Sequence, residues 1–124
     1  MDNIFYLSQK KLDVACLHCA FQNVNGLRAD AFAISNAVQL RTKKQIINLA
    51  LMDITEFKDS LCSELIHERK ISSIVCISHH KAYIKEILGI AKILLEKYGG
   101  WIGNDSDGFL PIFDITNIDF FSYG

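Results

Sequence analysis

Along the chain, apolar residues recur with helical spacing most clearly between His80 and Tyr98. Ile84, Ile87, Leu88, Ala91, Leu94, Leu95 and Tyr98 fall on one face of a 3.6-residue period. Lys81, Lys85, Lys92, Glu96 and Lys97 lie largely outside that stripe, and Gly99-Gly100 supplies a stop that accepts positive φ. The pattern predicts a helix over 80–98. A second helix is predicted over 55–69, with Asp53 or Thr55 as cap and Phe57, Leu61, Cys62, Leu65 and Ile66 as its apolar face. His67, Arg69 and Lys70 suit its C-terminal end.

Between these helices, "ISSIVCISH" is short, β-branched and almost continuously apolar, the signature of a buried strand. The stretch "GGWIGNDSDGFLPIFDI" reads as two short strands about a turn at Asn104–Gly108. Upstream, "LDVACLHCAF", "DAFAISNAVQLR" and "KQIINLALMDI" each allow strand alternation. Residues 29–41 also admit a helical stripe of Ala31, Ile34, Ala37 and Val38. With strands chosen, Phe32, Ile34, Val38 and Leu40 share one face. The order is then three strands, helix, strand, helix and two closing strands. It predicts a single α+β domain over 1–124, a mixed sheet of five to six strands with both main helices on one face and two right-handed βαβ crossovers.

Composition narrows the function. The 124 residues are half apolar with a formal net charge of −1, so no global basic excess points to nucleic acid. The N-terminal stretch lacks a charged region ahead of an apolar one, and no apolar run reaches a membrane span. A cytoplasmic protein with four reduced thiols is expected.

The candidate chemistry is sparse. Cys16, Cys19, Cys76 and His79 have the spacing of a split zinc site, CxxC and CxxHH. On strands, however, residues three apart face opposite ways, so packed thiols and no metal are expected. His79-His80-Lys81, at the start of the long helix, could form an anion subsite, but no Gly-rich phosphate loop precedes it, and a solvated cap is preferred. Asn104, Asp105, Ser106, Asp107 and Gly108, with Asp114 six residues further on, partly match a calcium loop; "FLPIF" between them reads as strand, so a turn is expected. No nucleophile elbow or phosphate-binding signature is present, which directs the reading towards a binding protein without cofactor rather than an enzyme.

From "ISSIVCISHHKAYIKEILGIAKILLEKYGGWIGNDSDG", residues 71–108, the chain resembles bacterial immunity proteins of contact-dependent growth-inhibition and related polymorphic toxin systems. The match consists of the strand, the helix, Gly99-Gly100-Trp101 and the turn with Asp105 and Asp107. The resemblance implies a cytosolic, non-catalytic protein that covers the active site or an exosite of one cognate toxin domain. If the toxin is a nuclease, its positive channel calls for exposed acids. Asp105, Asp107, Asp114 and Asp119 are the candidate acids, with Trp101, Phe120 and Tyr123 as anchors. Asp59, Glu64 and Glu68 on the first predicted helix form an alternative patch. A small ferredoxin-like ligand-binding domain, or an enzyme without a recognisable motif, is the competing expectation.

Overall fold

The computed structural model describes residues 1–123. Six strands form one sheet: β1 (Asp2–Ser8), β2 (Arg28–Phe32), β3 (Ala37–Arg41), β4 (Ile46–Met52), β5 (Ser73–His79) and β6 (Trp101–Asn104). The helices are α1 (Val14–Phe21), α2 (Ser60–Glu68) and α3 (Ile84–Tyr98). Strand order is β2-β3-β4-β5-β1-β6, and every neighbouring pair is antiparallel.

The α+β class and the two main helices agree with the sequence reading; the connections differ. Strands β4 and β5 are antiparallel neighbours, so α2 joins them without a βαβ crossover. The sheet is therefore not mixed. Strands β5 and β6 do run in the same direction through α3, but β1 lies between them and pairs with both.

β1 has an apolar "IFYL" run with no alternation, and it is buried on both sides. Ile4 and Tyr6 point to the first face, where Val38, Leu40, Ile47, Leu49, Val75, Ile77 and Ile102 join them beneath α1 and α3. Phe5 and Leu7 point to the second face, with Ile74, Cys62 and Phe109 beneath α2. A strand buried on both faces needs cover on both, so α2 and α3 lie on opposite faces rather than together. On the second face, Phe5 meets Phe57 and Phe109 edge-on, each with ring centroids 5.5 Å apart.

Three local expectations are corrected. "VACLHCAF" is helix α1, because the Asp13 carboxylate accepts the Cys16 N–H at 2.8 Å and caps the first turn. Residues 29–41 form a hairpin, turning at 33–36 with Asn36 at φ +53°, so Val38 and Leu40 are buried while Phe32 and Ile34 are exposed. The strand expected after Gly108 contracts to one bridge, in which Ile102 and Phe113 exchange N–H···O bonds of 2.7 and 2.8 Å.

The helix starts also shift. Asp53 caps a 3₁₀ turn, Ile54–Glu56, and Asp59 caps α2 three residues later. Gly99, at φ +70°, ends α3 as its position implies. No helix among the described residues is long and apolar enough to cross a membrane.

Candidate functional site

Asp59 starts α2 by accepting the Cys62 N–H at 2.9 Å, and its hydrogen bonds to Cys62 hold its carboxyl below the usual carboxylate range. From that start, Leu61, Glu64 and Glu68 fall on one stripe, three and four residues apart. Ser63, Ile66 and His67 fall on another.

The turn after β6 comes to rest against the first stripe. Gly108 and Phe109 have φ of +68° and +61°, which folds the chain back sharply after Asp107. Positive φ at Phe109 is strained for a side chain of that size, and its burial between Phe5 and Phe57 offsets the strain. The ring fits because Gly103 lies beneath it: a Cβ there would stand 2.7 Å from the Phe109 Cβ. A Cβ on Gly108 would meet that of Leu61 at 3.3 Å, and the Cys62 thiol lies 3.9 Å from the Ser106 carbonyl oxygen.

Of the two acidic patches that the sequence offered as alternatives, only the turn that carries Asp107 adjoins the helix that carries Glu64. Leu61 and Leu110, which are 50% and 57% exposed, both lie against Gly108, with Asp107 next to it in the turn and Glu64 one helical turn on from Leu61. Exposed leucines rimmed by carboxylates can bury an apolar centre while attracting a cationic partner.

The seven expected site residues divide between the faces. Trp101 and Asp107 belong with the second face. Trp101 is half-covered by the Arg69 guanidinium, 4.9 Å from its ring centroid, whereas Asp105, just after β6, lines a polar hollow of about 230 Å³ that it shares with Tyr123, Asp2 and Lys81. The C-terminal segment instead packs against the first face through Phe113, Ile118, Phe121 and Tyr123. Within it, the Asp114 carboxylate accepts the Thr116 hydroxyl and, at 2.9 Å, the Thr116 N–H, and these bonds, the hydroxyl's first, hold it below the usual range. Asp119 pairs with Lys92 of α3, and Phe120 is 80% exposed. The expected single C-terminal surface is therefore not formed.

Tyr123 is a latch rather than a free anchor. Its hydroxyl donates to His79 Nε2 at 2.7 Å, while His79 Nδ1–H donates to the Ile77 carbonyl at 3.1 Å; that carbonyl can only accept, which assigns the tautomer. Burial lowers the pKa of His79 and pushes that of Tyr123 up to about 12. Lys81 Nζ stands 4.3 Å from the Tyr123 ring centroid, and His80 Nδ1 accepts the Ala82 N–H at the start of a 3₁₀ turn. These three residues are thus engaged internally, in place of the possible anion subsite.

The metal spacings dissolve in the same way. Cys16 packs against the first-face core and Cys76 against the second, so the sheet stands between these two thiols, while His79 is held by Tyr123 and Ile77. On helix α1, unlike on the expected strand, Cys16 and Cys19 share a side, and Cys19 is exposed. Asn104, the candidate first calcium position, is 2% exposed and donates through Nδ2 to the Pro111 and Ser122 carbonyls at 2.9 and 3.0 Å. It ties both ends of the C-terminal segment, a role its turn-rich neighbourhood conceals.

No family model matches the chain, and no curated protein or solved structure matches it significantly.

Proposed function

We propose that this protein is a cytoplasmic immunity protein that binds a cognate toxin domain, without catalysis of its own, through the acidic face of α2 and the turn after β6. The observation that carries this reading is the approach of the Asp107-Gly108 turn to α2 at exposed Leu61, beside exposed Leu110, with Glu64 one helical turn on from Leu61. Such a surface suits a toxin with a basic substrate channel, as in a nuclease. The acids speed encounter and the leucines supply the desolvated centre.

The internal engagement of the buried polar groups supports a binding role. His79, Tyr123 and Asn104 all spend their hydrogen bonds on the fold, leaving no free base or donor among them for a substrate. The test is growth rescue: co-expression with the toxin domain encoded by the adjacent gene should restore growth. A chain that fails to rescue, or a neighbouring gene set devoted to metabolism, would overturn the reading in favour of a ligand-binding domain or an enzyme.

A further inference from the structure

The opposite stripe of α2 borders a groove of about 720 Å³, bounded by Ile54, Thr55, Phe57 and Lys58 on one side and by Ser63, Ile66, His67, Lys70 and Ile71 on the other. Its floor is apolar, made by Ile54, Phe57, Ile66 and Ile71. Lys58, His67 and Lys70 stand on its margin, and no carboxylate lines it among the described residues. The contrast with the acidic stripe is sharp for a chain whose net charge is only −1. Glu64 and Glu68 point elsewhere on the helix, roughly 100–140° around from Ser63 at 100° per residue.

The placement of the cations selects the occupant. Lys58 follows Phe57, whose carbonyl accepts the Ser63 hydroxyl at 3.0 Å, so it marks one end of the groove. Lys70 marks the other end: the helix rises about 7.5 Å from Ser63 to Glu68, and Arg69 and Lys70, past its C-terminus, carry the chain on to roughly 10 Å. A single-headed amphiphile carries one charge and cannot meet both ends. A peptide with carboxylates about 10 Å apart and apolar side chains between them can. The groove is also open along its length, which suits a segment buried on one side only.

We propose that this groove is a second docking site, which takes an acidic, amphipathic peptide segment of a partner protein. It is independent of the toxin-binding face, which lies on the other stripe of α2. Apolar side chains would fill the space over Phe57 and Ile66, and their flanking carboxylates would meet Lys58 and Lys70.

Amide shifts of the ¹⁵N-labelled protein test this with three probes: a Leu/Glu amphipathic dodecapeptide, the same peptide with Lys for Glu, and sodium decanoate. The acidic peptide should shift Ile54, Phe57, Ile66 and Ile71, with little change at Leu61 or Leu110. Its affinity should fall at least tenfold in Lys58→Glu/Lys70→Gly. Glycine suits position 70, where φ is +55°, so this variant should keep its fold, which its own spectrum checks. Absence of shifts at millimolar acidic peptide would overturn the proposal. So would equal binding of the lysine peptide, equal binding by the variant, or decanoate binding as tightly as the peptide.

Discussion

Replacing Asn104 by Ala removes the side chain that holds the C-terminal segment at two points. Both lost bonds are good N–H···O contacts, at 2.9 Å to Pro111 and 3.0 Å to Ser122. A bond of this kind contributes about 1 kcal/mol net, and a buried acceptor left alone costs about 1–3 kcal/mol. Ser122 is exposed, so its carbonyl regains water and costs little, whereas half-buried Pro111 and the enclosed site recover less. The expected loss is therefore about 2–3 kcal/mol in urea unfolding. Hydrogen exchange gives the location: the Phe113 amide, bonded to Ile102 at 2.8 Å, should exchange about 30- to 150-fold faster, since about 1.4 kcal/mol is a factor of ten. A loss under about 0.5 kcal/mol, with Phe113 exchange unchanged, would refute the view that one buried amide fastens both ends of this segment.

Three further outcomes are expected. Because burial lowers the His79 pKa, the unfolded chain binds a proton that the folded chain resists; the stability this confers is intact above pH 6.5 and declines as pH falls through 6.5 towards the folded value. Asp2 opposes that shift, while His80 and Lys81 reinforce it, and a pH series of unfolding free energies should flatten in this range for His79→Gln. An unchanged slope would contradict the buried neutral imidazole. Gly103→Ala should cost about 1–3 kcal/mol in thermal unfolding by overpacking, because its Cβ would lie 2.7 Å from the Phe109 Cβ and 3.0 Å from the Phe109 carbonyl oxygen. Elemental analysis should find no stoichiometric zinc, and Cys16→Ser should unfold in one transition like the parent; one zinc per chain, lost on that substitution, would contradict the separation of Cys16 and Cys76 by the sheet.

What could be read from the sequence was local and long-ranged in period. Helix α3 shows four turns of a clean stripe with a Gly stop, and β5 shows an unbroken β-branched run, so both were legible. Helix α1 was not read because its eight residues allow strand alternation as readily as helical spacing, although the Asp13 cap three residues before Cys16 marked its start. The hairpin of β2 and β3 hid in a continuous stretch whose turn, Ala-Ile-Ser-Asn, lacks glycine and relies on Asn36 to adopt positive φ. The placement of α2 was implicit in β1: five consecutive buried residues of alternate direction, Ile4 to Ser8, require two covered faces.

The candidate site was legible only in part. Charge marked Asp107 on one stretch and Glu64 on another, but the approach of that turn to α2 at Leu61 depends on the left-handed pair Gly108-Phe109, and positive φ at a phenylalanine has no signal in composition. Asp119 and Tyr123 looked equally available, yet their partners Lys92 and His79 stand 27 and 44 positions away in sequence.

Titration calorimetry of the purified protein with the toxin domain encoded beside it tests the toxin-binding face most directly. The parent should bind with one-to-one stoichiometry and an affinity that weakens as salt rises. Leu61→Ala should lose about 1–2 kcal/mol of binding free energy as a central apolar contact. Glu64→Lys/Asp107→Lys should slow association and weaken binding at least tenfold with little change in melting temperature, because exposed acids contribute little to folding. Binding that survives both changes at full strength, or the absence of any complex with that domain, would contradict a toxin-binding role for the acidic face.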